Sequence, residues 1–340
     1  MPQETAQLPI IVITMGDPAG VGPEVTAKAL MNQQIWAICR PIVVGGLSIL
    51  NRAAALVGAP PFRAIERLSE ATFDPQAPDV LDCGVLQAED VEPGDVSAAC
   101  ARAAVEYIER ATALCQAGEA EAMATGPLNK AALKAAGIPF IGHTELLASL
   151  LGSPEVTTML ATTGLRVVHV TRHVPLAQVA SLITRENVLE TIMLTHAGLQ
   201  QMGIARPRIA VAALNPHGGD EGLMGREEID AITPAVVDAL AQDVEAVGPI
   251  PADSVFFRAI RGEFDVVVAM FHDQGHIPIK THGFERSITV TLGLPVIRTS
   301  VDHGTAFDIA WKGVADQESM VEALKLAAQL AEGKRAGAGR

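Results

Sequence analysis

Short apolar runs alternate with longer helical patterns along this chain, and that alternation constrains its fold more than any other feature. Ile10–Met15, Pro41–Gly45, Ala120–Thr125, Arg166–Thr171, Arg208–Leu214 and Phe264–His272 are strand-length, and several are nearly continuous in apolar residues. Runs of that kind suit strands covered by helices on both faces, because neither face then meets water. Between them Pro23–Met31, Ser97–Ala117, Asn187–Gln201, Glu227–Leu240 and Glu318–Glu332 carry helical patterns, with Ser97 placed as an N-cap and Pro23 in a first turn. Strands alternating with helices predict an α/β architecture with layered sheets. The tail Gly333–Arg340 is expected to fray.

The chain has 340 residues, enough for one large or two ordinary domains and for a core that needs no disulfide or structural metal. Its formal net charge of −14 speaks against a nucleic-acid partner, although a local pocket can still be positive. Cys39, Cys83, Cys100 and Cys115 form no CxxC pair and no zinc-ribbon spacing, so they read as small hydrophobes in a reducing compartment. No charged-then-apolar leader opens the chain, and no apolar run approaches the roughly 20 residues that span a bilayer. A cytoplasmic protein with no membrane partner is the expectation.

Chemistry concentrates where strands end. The block Thr14-Met15-Gly16-Asp17-Pro18-Ala19-Gly20-Val21-Gly22-Pro23-Glu24 joins a strand to a helix. Its GxxxGxG spacing matches neither a Rossmann fingerprint nor a Walker A motif. A structural turn and a ligand loop fit it equally well. His173, His217 and His272 each follow a strand-like run. Three imidazoles converging from three strand ends would make a divalent-metal site with open positions; the alternative is three hydrogen-bonded loop histidines. His169 lies within a strand and is expected to be packed in the core. Arg298 leaves the run Leu294–Ile297, and its guanidinium could clamp a phosphate or carboxylate, or lie in a surface ion pair. His143 and Thr144 precede the apolar helix Leu146–Leu151, where they could offer donors to an anion; Thr144 could equally be only a cap.

The blocks ITMGDPAGVGPE, TGPLNK, GHTELLA, NPHGGDEGLMG, AMFHDQGHIPIK and TLGLPVIRTSVDHGTAFDIA, in that order, resemble the family of 4-hydroxythreonine-4-phosphate dehydrogenases and their catabolic relatives, from about Ile10 to about Leu330. The resemblance implies an isocitrate/isopropylmalate-dehydrogenase-like fold of two α/β domains, with the active site in the interdomain cleft at a homodimer interface. The implied division is residues 1–135 with 314–340 for the first domain and 136–313 for the second. His173, His217 and His272 match the family's metal ligands, for Zn, Mg or Co. His143, Thr144, Lys280 and Arg298 match substrate-binding positions. A further substrate position, usually Asn in the family, is Thr289 here, which removes an amide donor.

The implied chemistry is oxidation of a secondary alcohol β to a carboxylate by NAD or NADP, followed by loss of carbon dioxide. Lys280 and Asp273 are the candidate catalytic residues; Asp273 could instead orient the ring of His272. His276 stands where the biosynthetic enzymes commonly carry an apolar residue, which resembles the branch acting on D-threonate or D-erythronate 4-phosphate. A terephthalate-type dihydrodiol dehydrogenase is similar but takes an unphosphorylated substrate, and retention of Arg298 argues for a phosphate. Outside this class, a phosphate acyltransferase or a non-catalytic anion-binding module would have no use for the three histidines.

Overall fold

The computed structural model describes residues 7–338. Its strands in chain order are β1 (Ile10–Thr14), β2 (Arg40–Gly45), β3 (Arg63–Ile65), β4 (Asp79–Asp82), β5 (Ala122–Thr125), β6 (Thr157–Thr162), β7 (Leu165–His169), β8 (Ile209–Ala212), β9 (Ala246–Ile250), β10 (Val266–Ala269), β11 (Ile288–Leu292) and β12 (Ile297–Val301). Each of the six apolar runs holds one strand, as buried apolar residues between turn signals should. Two compact units divide the chain: Met1–Pro154 with Leu294–Glu332, and Glu155–Gly293 with Gly333–Arg340.

These crossings differ from the sequence-based 135/136 and 313/314, for reasons of packing. β12 pairs with β5, so the chain is already part of the first unit by Ile297. The helix His143–Leu151 packs on the helix Ala98–Gln116, which keeps it in the same unit.

In the first unit the sheet order is β3-β4-β2-β1-β5-β12, parallel throughout. Ser97 caps the helix Ala98–Gln116 by accepting from the Cys100 N–H, and Pro23 sits in the first turn of Gly22–Leu30, as expected. In the second unit the order is β11-β6-β7-β10-β8-β9. β6 is antiparallel to both neighbours, and β7, β10, β8 and β9 run parallel. Leu160, Val167, Ala210, Val267, Ala269 and Ile279 lie in its core.

Three local features differ from the sequence pattern. The pattern at Glu227–Leu240 is a π turn, Glu228–Ile232, followed by the α-helix Thr233–Leu240. The last helix runs from Glu318 to Ala338, so it continues through the tail expected to fray; Gly333 packs on Met202 and Gly203, while residues 339–340 lie outside the described residues. Arg298 lies within β12. Among the described residues no two of the four cysteines form a disulfide, and Cys39 and Cys100 are buried. Among the described residues no helix is long and apolar enough to cross a membrane.

Candidate functional site

The opening glycine block is packing. In a parallel α/β unit the turn from β1 into its helix must pass close to neighbouring loops. A Cβ on Gly16, whose φ is +78°, would lie 2.6 Å from the Pro127 carbonyl oxygen; one on Gly22 would lie 2.2 Å from the Met15 carbonyl oxygen, and one on Gly20 would meet Thr305. The block is buried throughout, as the structural-turn reading expects. It also encloses Asp17, whose Oδ1 accepts from the Ala19 N–H and whose Oδ2 has no hydrogen-bond partner. Burial pushes this carboxyl up to about 6, and the Ala19 hydrogen bond opposes it.

The first unit brings Arg298 and His143 together. Arg298 is only 3% exposed, and its Nε and Nη2 both donate to Thr125 Oγ1, at 3.0 and 2.7 Å. Burial lowers its guanidinium to about 9, so it remains a cation at neutral pH. The surface ion pair is excluded by this burial. His143 begins the helix His143–Leu151, with Gly142 as the N-cap, so Thr144 does not cap it. Burial, then the Arg298 charge, hold His143 well below the usual imidazole range, against a hydrogen bond to the Gly126 backbone. Its Nε2 is shut from solvent without a hydrogen-bond partner. A buried cation, a neutral imidazole beside it and a helix start are the ingredients of a phosphate or carboxylate site.

The second unit places its histidines at one edge. β7, β10 and β8 are adjacent and parallel, and His173, His217 and His272 each follow the carboxyl end of one of them. That is where α/β sheets carry ligands. His173 and His217 are exposed and His272 half-buried. The rings of His173 and His272 stand 5.8 Å apart between centroids. His217 opens a run of left-handed residues through Glu221, a costly conformation that Gly218 and Gly219 ease. Among the described residues, no three His, Cys, Asp or Glu side chains already form a metal-holding group.

The donor chemistry nonetheless fits a divalent ion. His272 Nδ1 contacts Asp273 Oδ1 at 2.7 Å, so with the proton on Nδ1 its Nε2 keeps a lone pair, as in carboxylate-backed metal ligands. His276 stacks on His272 with centroids 3.6 Å apart and 11° between planes, and His169 lies 4.8 Å from His276. His169 is buried, as expected; burial, then His276 and His272, hold it down to about 3. Lys280, eight residues beyond His272 on the same helix, is half-buried with Nζ 4.9 Å from the centroid of Phe284. Thr289 is half-buried on β11, opposite Leu160 of β6.

Thr125 and Glu228 carry no sequence signal. Thr125 receives two donors from Arg298, and Glu228 accepts from Leu214 and Asn215 in the loop that leads to His217.

Comparison with known proteins supplies the lineage. Residues 37–327 match the family model described as pyridoxal phosphate biosynthetic protein PdxA. A curated relative from Cupriavidus necator, named D-threonate 4-phosphate dehydrogenase, is 50% identical over 95% of this chain and 98% of its own length. A crystal structure of a 4-hydroxythreonine-4-phosphate dehydrogenase from Burkholderia phymatum is 49% identical, covers 95% of this chain and 98% of that one, and superposes with a TM-score of 0.86. One of the same description from Klebsiella pneumoniae is 44% identical, covers 95% and 99%, and gives 0.88. Near-complete coverage on both sides extends the likeness over both units. The chain belongs to the pyridoxal phosphate biosynthetic protein PdxA family.

Proposed function

We propose that the chain is a nicotinamide- and divalent-metal-dependent dehydrogenase that oxidises and decarboxylates a phosphorylated four-carbon 3-hydroxy acid, with D-threonate 4-phosphate as substrate. The observation that carries this reading is the 50% identity, over nearly the whole of both chains, to a D-threonate 4-phosphate dehydrogenase. A second reading, 4-hydroxy-L-threonine 4-phosphate, is favoured by the descriptions of the two solved structures. The family resemblance supports a cytoplasmic homodimer.

In this reading Arg298 holds the phosphate by charge and fork geometry, with His143 and Thr144 adding donors. Lys280 takes the carboxylate and Thr289 offers a hydroxyl. His173, His217 and His272 would hold the metal ion, with Asp273 orienting the His272 ring. When bound, the ion would supply Lewis acidity and NAD (or NADP) a hydride acceptor. The alcohol proton passes to a base. The contact between Asp273 and His272 supports reading Asp273 as the orienter of that ring.

The test is NADH formation by metal-loaded protein with D-threonate 4-phosphate, D-erythronate 4-phosphate, 4-hydroxy-L-threonine 4-phosphate and an unphosphorylated cyclic dihydrodiol. A chelator-sensitive signal with the highest kcat/KM for D-threonate 4-phosphate is expected. Activity on the dihydrodiol alone would overturn the phosphate assignment. Silence across the set would overturn the dehydrogenase reading in favour of acyl transfer or simple anion binding.

A further inference from the structure

The ladder between β8 and β10 ends at Val211 opposite Val268. Beyond it the two chains part, one toward His217 and the other toward His272. At the next level Met270 and Ala213 use their other backbone groups outward: Met270 O accepts from Thr171 N, at 3.1 Å, and Ala213 N donates to Ile250 O, at 2.7 Å. That leaves Met270 N and Ala213 O facing the gap between β10 and β8. The side-chain amide of Gln274 takes both. Its Oε1 accepts from Met270 N at 2.6 Å, and its Nε2 donates to Ala213 O at 2.7 Å. One carboxamide thus stands in for a peptide group and extends the ladder by one rung where the strands can no longer pair directly.

Its placement ties it to the histidines. Gln274 lies in the first turn of the helix His272–Gly283, so His272 sits between two points held by one amide, Met270 before it and Gln274 after it. Ala213 lies four residues before His217.

We propose that Gln274 is a positioning residue that sets the separation of His272 and His217, and through it the affinity of the divalent-ion site. The inference rests on the metal reading above. Removing either hydrogen bond lets the two strand ends drift apart, and outer-shell partners of metal ligands are typically worth about 10–100-fold in affinity.

The experiment is Co²⁺ binding to the full-length protein, followed by its visible absorption band and by competition with a chelator. Wild type, Gln274→Met, Gln274→Ala and His217→Ala are compared, with thermal unfolding of each metal-free protein. Gln274→Met fills the same space without the two hydrogen bonds, so it keeps the comparison usable where Gln274→Ala fails to fold. The expected result is Co²⁺ affinity about 10–100-fold lower in Gln274→Met, with an altered absorption band. Wild-type affinity in Gln274→Met would overturn the proposal, including where Gln274→Ala alone is impaired, because the role would then be packing. Failure of the metal reading is a separate outcome: wild type would bind no Co²⁺, or His217→Ala would bind it as well as wild type, and the proposal would fall with its ground.

Discussion

Arg298 and Thr125 meet through two donors on one acceptor: the Nε and Nη2 of the arginine converge on the single hydroxyl oxygen of the threonine, across the β5–β12 pair. A neutral hydroxyl steadies a guanidinium but does not neutralise it. Burial therefore holds Arg298 down to about 9, well below the ordinary guanidinium range. This depression is a cost of folding at every pH below about 9, and it relaxes only as pH rises above that value. Arg298→Met should relieve that burial cost while forfeiting the two hydrogen bonds to Thr125 Oγ1. It should also abolish any rise in melting temperature on adding inorganic phosphate. Melting curves with and without phosphate decide it; a phosphate response surviving in Arg298→Met would remove Arg298 from the anion site.

Asp17 shows the opposite sign for an acid. Its carboxyl is pushed up to about 6 from 3.8 by burial, with the Ala19 hydrogen bond opposing. The protonated form is favoured in the fold, so its contribution is complete below about 3.8 and is lost as pH rises through about 6. Asp17→Asn should be more stable than wild type at neutral pH, by up to about 3 kcal/mol, and the difference should shrink toward pH 4. Denaturant titrations at both pH values check this. A difference that does not change with pH would mean Asp17 titrates normally.

Gly275 is fixed by a neighbour rather than by its backbone. A Cβ there would lie 2.3 Å from His169 Nε2 and 2.6 Å from Val167 Cγ1, so the helix His272–Gly283 approaches β7 as closely as a glycine allows. Alanine is the better helix former, yet overpacking of this kind costs about 1–3 kcal/mol, which outweighs the propensity gain of about 1 kcal/mol. Gly275→Ala should lower the urea midpoint with an unchanged slope. A raised midpoint would show that the helix can retreat freely.

Legibility in the sequence followed hydrophobicity. β1, β2, β5, β7, β8 and β10 were all visible because each is buried and nearly continuous in apolar residues. β3 and β4 are short, and β6, β11 and β12 are interrupted by threonines or by Arg298, so the run signal is broken although the strands are well buried. The histidines stood out through their position after strands. That β7, β10 and β8 are neighbours could not be read, because strand order is set by long-range crossovers. Nor could the burial of Arg298: the same residue in the same run suits a surface ion pair, and only the pairing of β12 with β5 places it inside. Gln274 and Glu228 are ordinary polar residues in sequence, and their partners are backbone groups on other loops.

Glu228 carries the clearest acid-side prediction. It is 3% exposed, and Oε1 accepts from Leu214 N and Asn215 N at 2.9 and 2.7 Å while Oε2 accepts from Asn215 Nδ2 at 2.9 Å. All three partners are donors, and they hold the loop that leads to His217. Burial pushes the carboxyl up, but the Asn215 and backbone hydrogen bonds outweigh it and hold the group below its ordinary 4.5. Its contribution is therefore present above 4.5 and is lost as pH falls through the lower folded value. Glu228→Gln turns one acceptor into a donor facing donors, so it should destabilise by about 1–3 kcal/mol at neutral pH. The loss should narrow in acid, where the wild-type carboxyl also protonates. Amide exchange adds a local readout: the Leu214 and Asn215 N–H groups should lose protection in the variant while the β8 amides keep theirs. If both sets are unchanged, the loop is held by something other than this carboxylate.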